Sequence, residues 1–180
     1  MFTKKNIIIA SLLVIIAATL KVVTFPNSFT PIIAIALFCG AVFQDKKMSF
    51  IVPVLAMLLS DVMLEFSGKA TGFYGWGQLA NYACLLFVTF LGMGMKKINV
   101  TSVAGFSVAS SILFYFLSNS ITFLFSNGYY ENSFNGYLLC MEAGLPFLQK
   151  GILVDLAYSS VFFSVYYFYV VKEKQLAKAN

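Results

Sequence analysis

The sequence contains no histidine and no arginine, and it has little charge of either sign. Without histidine, the chain lacks the usual proton shuttle at neutral pH and the commonest nitrogen ligand of metals, which excludes histidine-based catalysis and ordinary zinc sites. Only 11% of the residues are charged and 60% are hydrophobic, whereas about 25% of the residues in a soluble domain are charged. We therefore predict an integral membrane protein that is embedded in a lipid bilayer.

The common motifs of enzymes and metal sites are also missing. The chain has no G-x-x-x-x-G-K-[ST], H-E-x-x-H or G-x-S-x-G pattern, so it carries no recognisable ATP, metalloprotease or lipase site. Its three cysteines, Cys39, Cys84 and Cys140, are far apart and form no C-x-x-C pair. We expect no enzyme activity, no cofactor and no metal site. The net charge of +5 does not indicate a nucleic-acid partner.

Long hydrophobic runs dominate what is present. Because a helix needs roughly 20 apolar residues to cross a hydrocarbon core, the 180 residues suffice for about six crossings. We predict an all-α, six-helix membrane bundle that forms a single integral membrane domain over residues 1–180. The first run is taken as a retained helix and not as a signal peptide, because it continues to Val23 without a clear cleavage site. The predicted spans are 6–23, 31–43, 48–64, 77–95, 101–125 and 147–171.

The positions of the lysines predict the orientation of the bundle. Nine of the twelve lysines fall on one side of the six-helix arrangement, which is a strong positive-inside bias. We therefore place this side, with both termini, in the cytoplasm and the protein in a bacterial inner membrane. The nine are Lys4, Lys5, Lys46, Lys47, Lys96, Lys97, Lys172, Lys174 and Lys178.

Polar residues within the predicted spans are the strongest indication of a site. A charged group at the centre of a membrane helix costs about 2.5 to 3.5 kcal/mol on insertion scales, so such groups often have a function. With a rise of 1.5 Å per residue, Asp155 would lie about 12 Å, Asn119 about 9 Å and Asp61 about 5 Å below the outer boundary. These depths predict a cavity that opens to the outside. The alternative is that Asp155 only stabilises the bundle, either by pairing with a lysine such as Lys21 or Lys150 or by a hydrogen bond between helices.

The predicted outer loops contribute further candidates. Asn27 and Thr30 lie between two prolines in the first loop, Tyr74 and Trp76 lie in the second, and Cys140 ends the third. Aromatic and polar residues of this kind suit a ligand pocket. The alternative is an aromatic belt, since Tyr and Trp collect at the interfaces of any membrane protein.

Several segments resemble an uncharacterised family of small bacterial membrane proteins with an N-F-T-P, A-x-A-L-F-x-G and L-S-D signature. In this chain the matching segments are 26–31, 34–40, 52–53 and 59–61, followed by Asn119, Tyr129 or Tyr130, 136–140, 145–147 and 155–156. The six-helix layout with a short second helix is in turn similar to the substrate-binding S components of energy-coupling-factor vitamin transporters. The alanine-x-x-x-alanine face of those proteins is absent here. The residue four positions after Ala10 is Val14, and the residue four positions after Ala17 is Lys21.

The resemblance implies a protein that binds a small vitamin-like molecule and takes part in its uptake. The alternative is a structural or assembly subunit that contacts membrane protein partners in a larger bacterial complex. An intramembrane enzyme with Asp61 and Asp155 as a carboxylate pair is disfavoured, because the two acids lie at different predicted depths. The candidate ligand-binding residues are Asn27, Thr30, Asp61, Tyr74, Trp76, Asn119, Cys140 and Asp155.

Overall fold

The structure, a computed structural model, describes residues 4–25, 30–73 and 75–168. These residues form six α-helices and no strand, which confirms the predicted all-helical class. The helices are α1 (Lys4–Thr24), α2 (Ile32–Val42), α3 (Lys46–Phe66), α4 (Trp76–Met93), α5 (Val100–Leu124) and α6 (Phe134–Tyr166).

Local sequence determines where three of the helices begin. Asp45 accepts hydrogen bonds from the backbone N–H groups of Lys47 and Met48 and caps α3. Asn99 caps α5 through the N–H of Ser102, and Ser133 caps α6 through the N–H of Gly136. Each cap satisfies a backbone donor that has no partner within the helix.

The helices have the lengths and surfaces of a membrane bundle. Four helices, α3 to α6, are long and apolar enough to cross a membrane, while the segment Leu12–Thr24 of α1 and the whole of α2 are apolar but shorter. Large hydrophobic side chains such as Leu79, Phe90 and Leu153 are exposed on their outer faces. A soluble protein rarely exposes so much apolar surface, and the chain is therefore a helical membrane protein.

The short helix α2 lies at the centre of the bundle, where it packs against α3, α4, α5 and α6. Nearly all of its side chains are buried, from Ile32 to Gly40. This burial accounts for its uniformly apolar sequence, since a helix that is hydrophobic on every side is normally surrounded by protein.

Two glycines allow α2 and α4 to make backbone contact. A Cβ atom on Gly40 would lie 2.1 Å from the carbonyl oxygen of Thr89, and one on Gly92 would lie 2.5 Å from that of Leu37. Because the carboxyl ends of α2 and α4 meet here, the connections after them lie at the same end of the bundle. We call this the lysine-rich end, since it holds Lys46–Lys47 and Lys96–Lys97, and we call the opposite end the Asp61 end.

The largest departure from the prediction concerns α6. The sequence predicted a loop over 126–146 and a helix from Phe147, but α6 begins at Phe134 and continues through Pro146. The predicted start at Phe147 was therefore wrong, and Pro146 lies inside the helix because membrane helices tolerate proline where other groups satisfy the backbone. Asp155 consequently lies about 30 Å along α6 from its first residue, and not about 12 Å.

Candidate functional site

A cavity of about 730 Å³ opens between α4, α5 and the segment that connects α5 to α6. Its volume is within the range of about 300 to 1,000 Å³ that is typical of small-molecule sites. It lies at the Asp61 end, beside the first residues of α4 and the last residues of α5. The residues that line it are Trp76, Gly77, Ala80, Asn81, Ser118, Ile121, Thr122, Phe125, Ser126, Asn127, Tyr129 and Tyr130.

The walls of this cavity combine aromatic rings with uncharged polar groups. Trp76 and Tyr129 are 79% and 83% exposed, so their rings are open to an incoming molecule. Tyr129 also makes an edge-to-face contact with Tyr130, with 4.9 Å between the ring centroids. None of the described residues that line the cavity is charged. The site therefore suits an uncharged ligand that offers a ring and several hydrogen-bonding groups.

Backbone turns place the aromatic residues of the cavity. Gly75 has φ of 71° immediately before Trp76, the first residue of α4. Asn127 and Gly128, with φ of 50° and 86°, turn the chain back after α5 and lead into Tyr129. These are left-handed conformations, which glycine and asparagine adopt more readily than other residues.

Tyr130 connects the cavity to the interface between α5 and α6. Desolvation raises the pKa of the Tyr130 phenol above its ordinary value, and the neighbouring Cys140 and Tyr129 raise it further, so the phenol is neutral at pH 7. Cys140 is buried, and its Sγ lies 3.5 Å from the carbonyl oxygen of Asn119. Asn119 donates to the carbonyl of Tyr115. The predicted residues Asn119 and Cys140 thus lie behind the cavity wall and not in it.

Asp61 belongs to a separate polar network that joins three helices. Its carboxylate forms an ion pair with Lys21 of α1. It also accepts hydrogen bonds from Gln78 Nε2 at 2.7 Å and from Tyr82 OH at 2.9 Å, both on α4. Gln78 in turn donates to the carbonyl of Gly72. Both carboxylate oxygens are therefore engaged within the protein.

Asp155 lies between α5 and α6, where Ser111 Oγ donates to its Oδ2 at 2.7 Å. The pairing of Asp155 with Lys21, one of the predicted alternatives, is not formed, because Lys21 contacts Asp61. Among the described residues, Ser111 is the one hydrogen-bond partner of Asp155, which also rules out the predicted pair with Lys150. Asp61, Asn119 and Asp155 therefore share no partner and do not form the common cavity that their predicted depths indicated.

The remaining predicted residues are divided among several places. Trp76 lines the cavity, whereas Thr30 lies just before α2 and is half-buried. Asn27 and Tyr74 lie outside the described residues. Sequence reasoning missed Ser118 and Thr122, although their spacing of four residues places both on one face of α5.

The fold and the cavity define a helical membrane protein with an uncharged, aromatic pocket at one end. The chain matches the model of a family of unknown function, DUF6580, over residues 2–178, and it belongs to this family. The family is one of unknown function, and the match carries no information on the signature segments, on the resemblance to S components or on a substrate. No curated protein and no solved structure matches the chain.

Proposed function

We propose that this protein binds a small vitamin-like molecule and takes part in its uptake. The observation that supports the proposal is the cavity of about 730 Å³ with its exposed rings of Trp76 and Tyr129. A ring of the ligand would stack between these aromatic side chains, while Ser118, Thr122 and Tyr130 would bond its polar groups. The absence of charge in the lining favours an uncharged ligand over an organic acid or a phosphate ester.

The orientation of the bundle would give this cavity access to the substrate. The lysine-rich end would face the cytoplasm of a bacterial inner membrane, since positive residues favour that side. The cavity at the opposite end would then open to the periplasm, where a scavenged nutrient is met first. In this respect the protein would act like an S component of an energy-coupling-factor transporter. The missing alanine-x-x-x-alanine face of α1 indicates that any coupling subunit is docked in another way.

The single tryptophan of the chain provides a direct test. Because Trp76 lines the cavity, its fluorescence reports on ligand binding without a label. The purified protein is titrated in detergent with a panel of water-soluble vitamins, and we expect saturable quenching by at least one of them. Tyr129→Ala should weaken that binding about three- to tenfold, since a ring contact contributes about 0.5 to 1.5 kcal/mol. Phe90→Leu, on the exposed face of α4, serves as the control and should bind normally.

A structural or assembly subunit would give a different result. Such a protein would show no saturable quenching, and it would be isolated from its own membrane only together with stoichiometric protein partners. Native mass spectrometry of the gently solubilised protein separates the two functions, because it detects retained small molecules and partners in one measurement. Partners without a ligand would contradict the uptake proposal.

A further inference from the structure

A second polar site lies in the apolar interior between α5 and α6. It consists of Ser107 and Ser111 on α5 and of Asp155 and Ser159 on α6, and we call it the Ser–Asp cluster. None of these four residues is more than 4% exposed. The 2.7 Å hydrogen bond from Ser111 to Asp155 holds the two helices together at this level. No residue of the cluster lines the cavity described above.

The register of the two helices places these four residues on the sides of α5 and α6 that meet at the Ser111–Asp155 hydrogen bond. Ser107 lies one turn before Ser111 on α5, and Ser159 lies one turn after Asp155 on α6. Because α5 and α6 are antiparallel, both steps lead toward the lysine-rich end. Ser107 and Ser159 are therefore expected on the facing sides of the two helices, about one turn from the Ser111–Asp155 contact toward the lysine-rich end.

Two of the three hydroxyl groups in this cluster have no partner within the described part of the protein. Among the described residues, Ser107 Oγ and Ser159 Oγ are fully buried and have no hydrogen-bond partner. Ser110, which directly precedes Ser111 on α5, carries a third buried hydroxyl without a hydrogen-bond partner among the described residues. A buried polar group without a partner costs about 1 to 3 kcal/mol, and native proteins normally fill such positions with a water or an ion.

The charge of Asp155 decides what kind of group fits. Within the part of the chain that the structure describes, Asp155 has one neutral hydrogen-bond donor and no ion pair. A proton on the carboxylate would also remove its charge, but its single O–H would donate to the oxygen of only one neighbouring hydroxyl. A bound cation removes the charge and at the same time uses the oxygen atoms of several hydroxyls. Hydroxyl and carboxylate oxygens are hard ligands, and one carboxylate balances one positive charge.

We propose that the Ser–Asp cluster binds a monovalent metal cation of the size of Na⁺, with Ser107, Ser111, Asp155 and Ser159 as its oxygen ligands. The site lies about 17 Å along α5 from Val100, close to the middle of a hydrocarbon core about 30 Å thick. Such a cation would fix α5 against α6 at this level of the bundle. The proposal goes beyond the uptake function, because it requires no organic ligand.

Thermal unfolding of the full-length protein in detergent tests this site. The protein is heated in NaCl and in choline chloride at the same ionic strength, and the Tm values are compared. A cation that binds only the folded state raises Tm by mass action, on the order of 5 °C when sodium exceeds its Kd about a hundredfold. We expect this rise for the wild type and its loss in Asp155→Asn.

A double variant removes ligands of the site without the loss of stability that Asp155→Asn could cause by itself. Ser107→Ala/Ser159→Ala removes two unpaired hydroxyls, so it should fold as well as the wild type in choline chloride. It should require at least tenfold more NaCl for the same rise in Tm. Ser160→Ala is the matched control, because this exposed serine of α6 bonds the carbonyl of Leu156 and faces away from the cluster.

Two results would overturn the proposal. One is a wild-type Tm that is equal in NaCl and choline chloride, and the other is an unchanged sodium response in the double variant. Neither result affects the tryptophan titration, because no residue of the Ser–Asp cluster lines the cavity. A failure of the cation site is therefore distinguishable from a failure of the uptake proposal.

Discussion

Asp61 illustrates, at the scale of single residues, how a charge is accommodated in this apolar bundle. The sequence identified Asp61 as a polar group within a helix, but the contacts that satisfy it come from residues 21, 78 and 82 on two other helices. Spacing along the chain does not predict such pairs, because they depend on how the helices pack. Trp76 was predicted to lie in an outer loop, whereas it is the first residue of α4 and lines the cavity.

The Asp61 network predicts a large loss of stability when its charge is removed. Asp61→Asn leaves Lys21 half-buried without a counter-charge, and breaking a buried pair in this way costs about 3 to 5 kcal/mol. Thermal unfolding in detergent should show a Tm well below that of the wild type. Glu142→Gln, an exposed acid on α6, is the control.

A second variant separates the ion pair from the rest of the site. Lys21→Met/Asp61→Leu removes both charges, and it should recover part of the lost stability because no unpaired charge remains. Equal stability of Asp61→Asn and the wild type would contradict the structural role of this network.

At the scale of the helices, the apolar runs predicted the structure better than single proline and glycine residues did. The apolar runs predicted α1 to α5 within a few residues of their observed bounds, because the length of a membrane crossing constrains them. The start of α6 was predicted thirteen residues too late, at Phe147 and not at Phe134, and Pro146 lies within the helix although a proline normally interrupts one in soluble proteins. The backbone contact of α2 with α4 was also not predicted, since a single glycine in an apolar run does not reveal its partner.

Glycine substitutions test this helix contact. Gly40→Ala would place a Cβ 2.1 Å from the Thr89 carbonyl oxygen, so α2 and α4 must separate. We expect a destabilisation of about 1 to 3 kcal/mol, which is typical of overpacking. Gly105→Ala on α5 is the matched control, because its Cβ would meet nothing within 4 Å and alanine favours the helix. Chemical or thermal unfolding of the two variants should change in opposite directions, and equal behaviour would contradict close packing at Gly40.

At the scale of the whole molecule, the bundle separates a lysine-rich end from an end that carries the cavity. The lysines at positions 46, 47, 96 and 97 meet at one end because the α2–α3 and α4–α5 connections lie side by side. The uncharged cavity lies at the opposite end. Counting lysines along the sequence predicted this polarity, whereas the shape of the cavity depends on turns at residues 75 and 127–128 that no periodic pattern indicates.

Cysteine labelling tests the direction in which these two ends face. The native Cys39, Cys84 and Cys140 are all buried, so a membrane-impermeant maleimide should give little background. Asn132→Cys, exposed before α6 at the cavity end, should be labelled in intact spheroplasts. Lys97→Cys, exposed at the lysine-rich end, should be labelled only after the membrane is permeabilised.

This expected labelling pattern rests on the charge of the lysines, and it decides on which side of the membrane the cavity opens. Lysines in short connections are retained on the cytoplasmic side during insertion, and each contributes to the bias. If Lys97→Cys were labelled in intact spheroplasts and Asn132→Cys were not, the cavity would open to the cytoplasm. A protein with that orientation could not capture a nutrient from outside, so the labelling pattern would contradict uptake even if Trp76 fluorescence showed that a ligand binds.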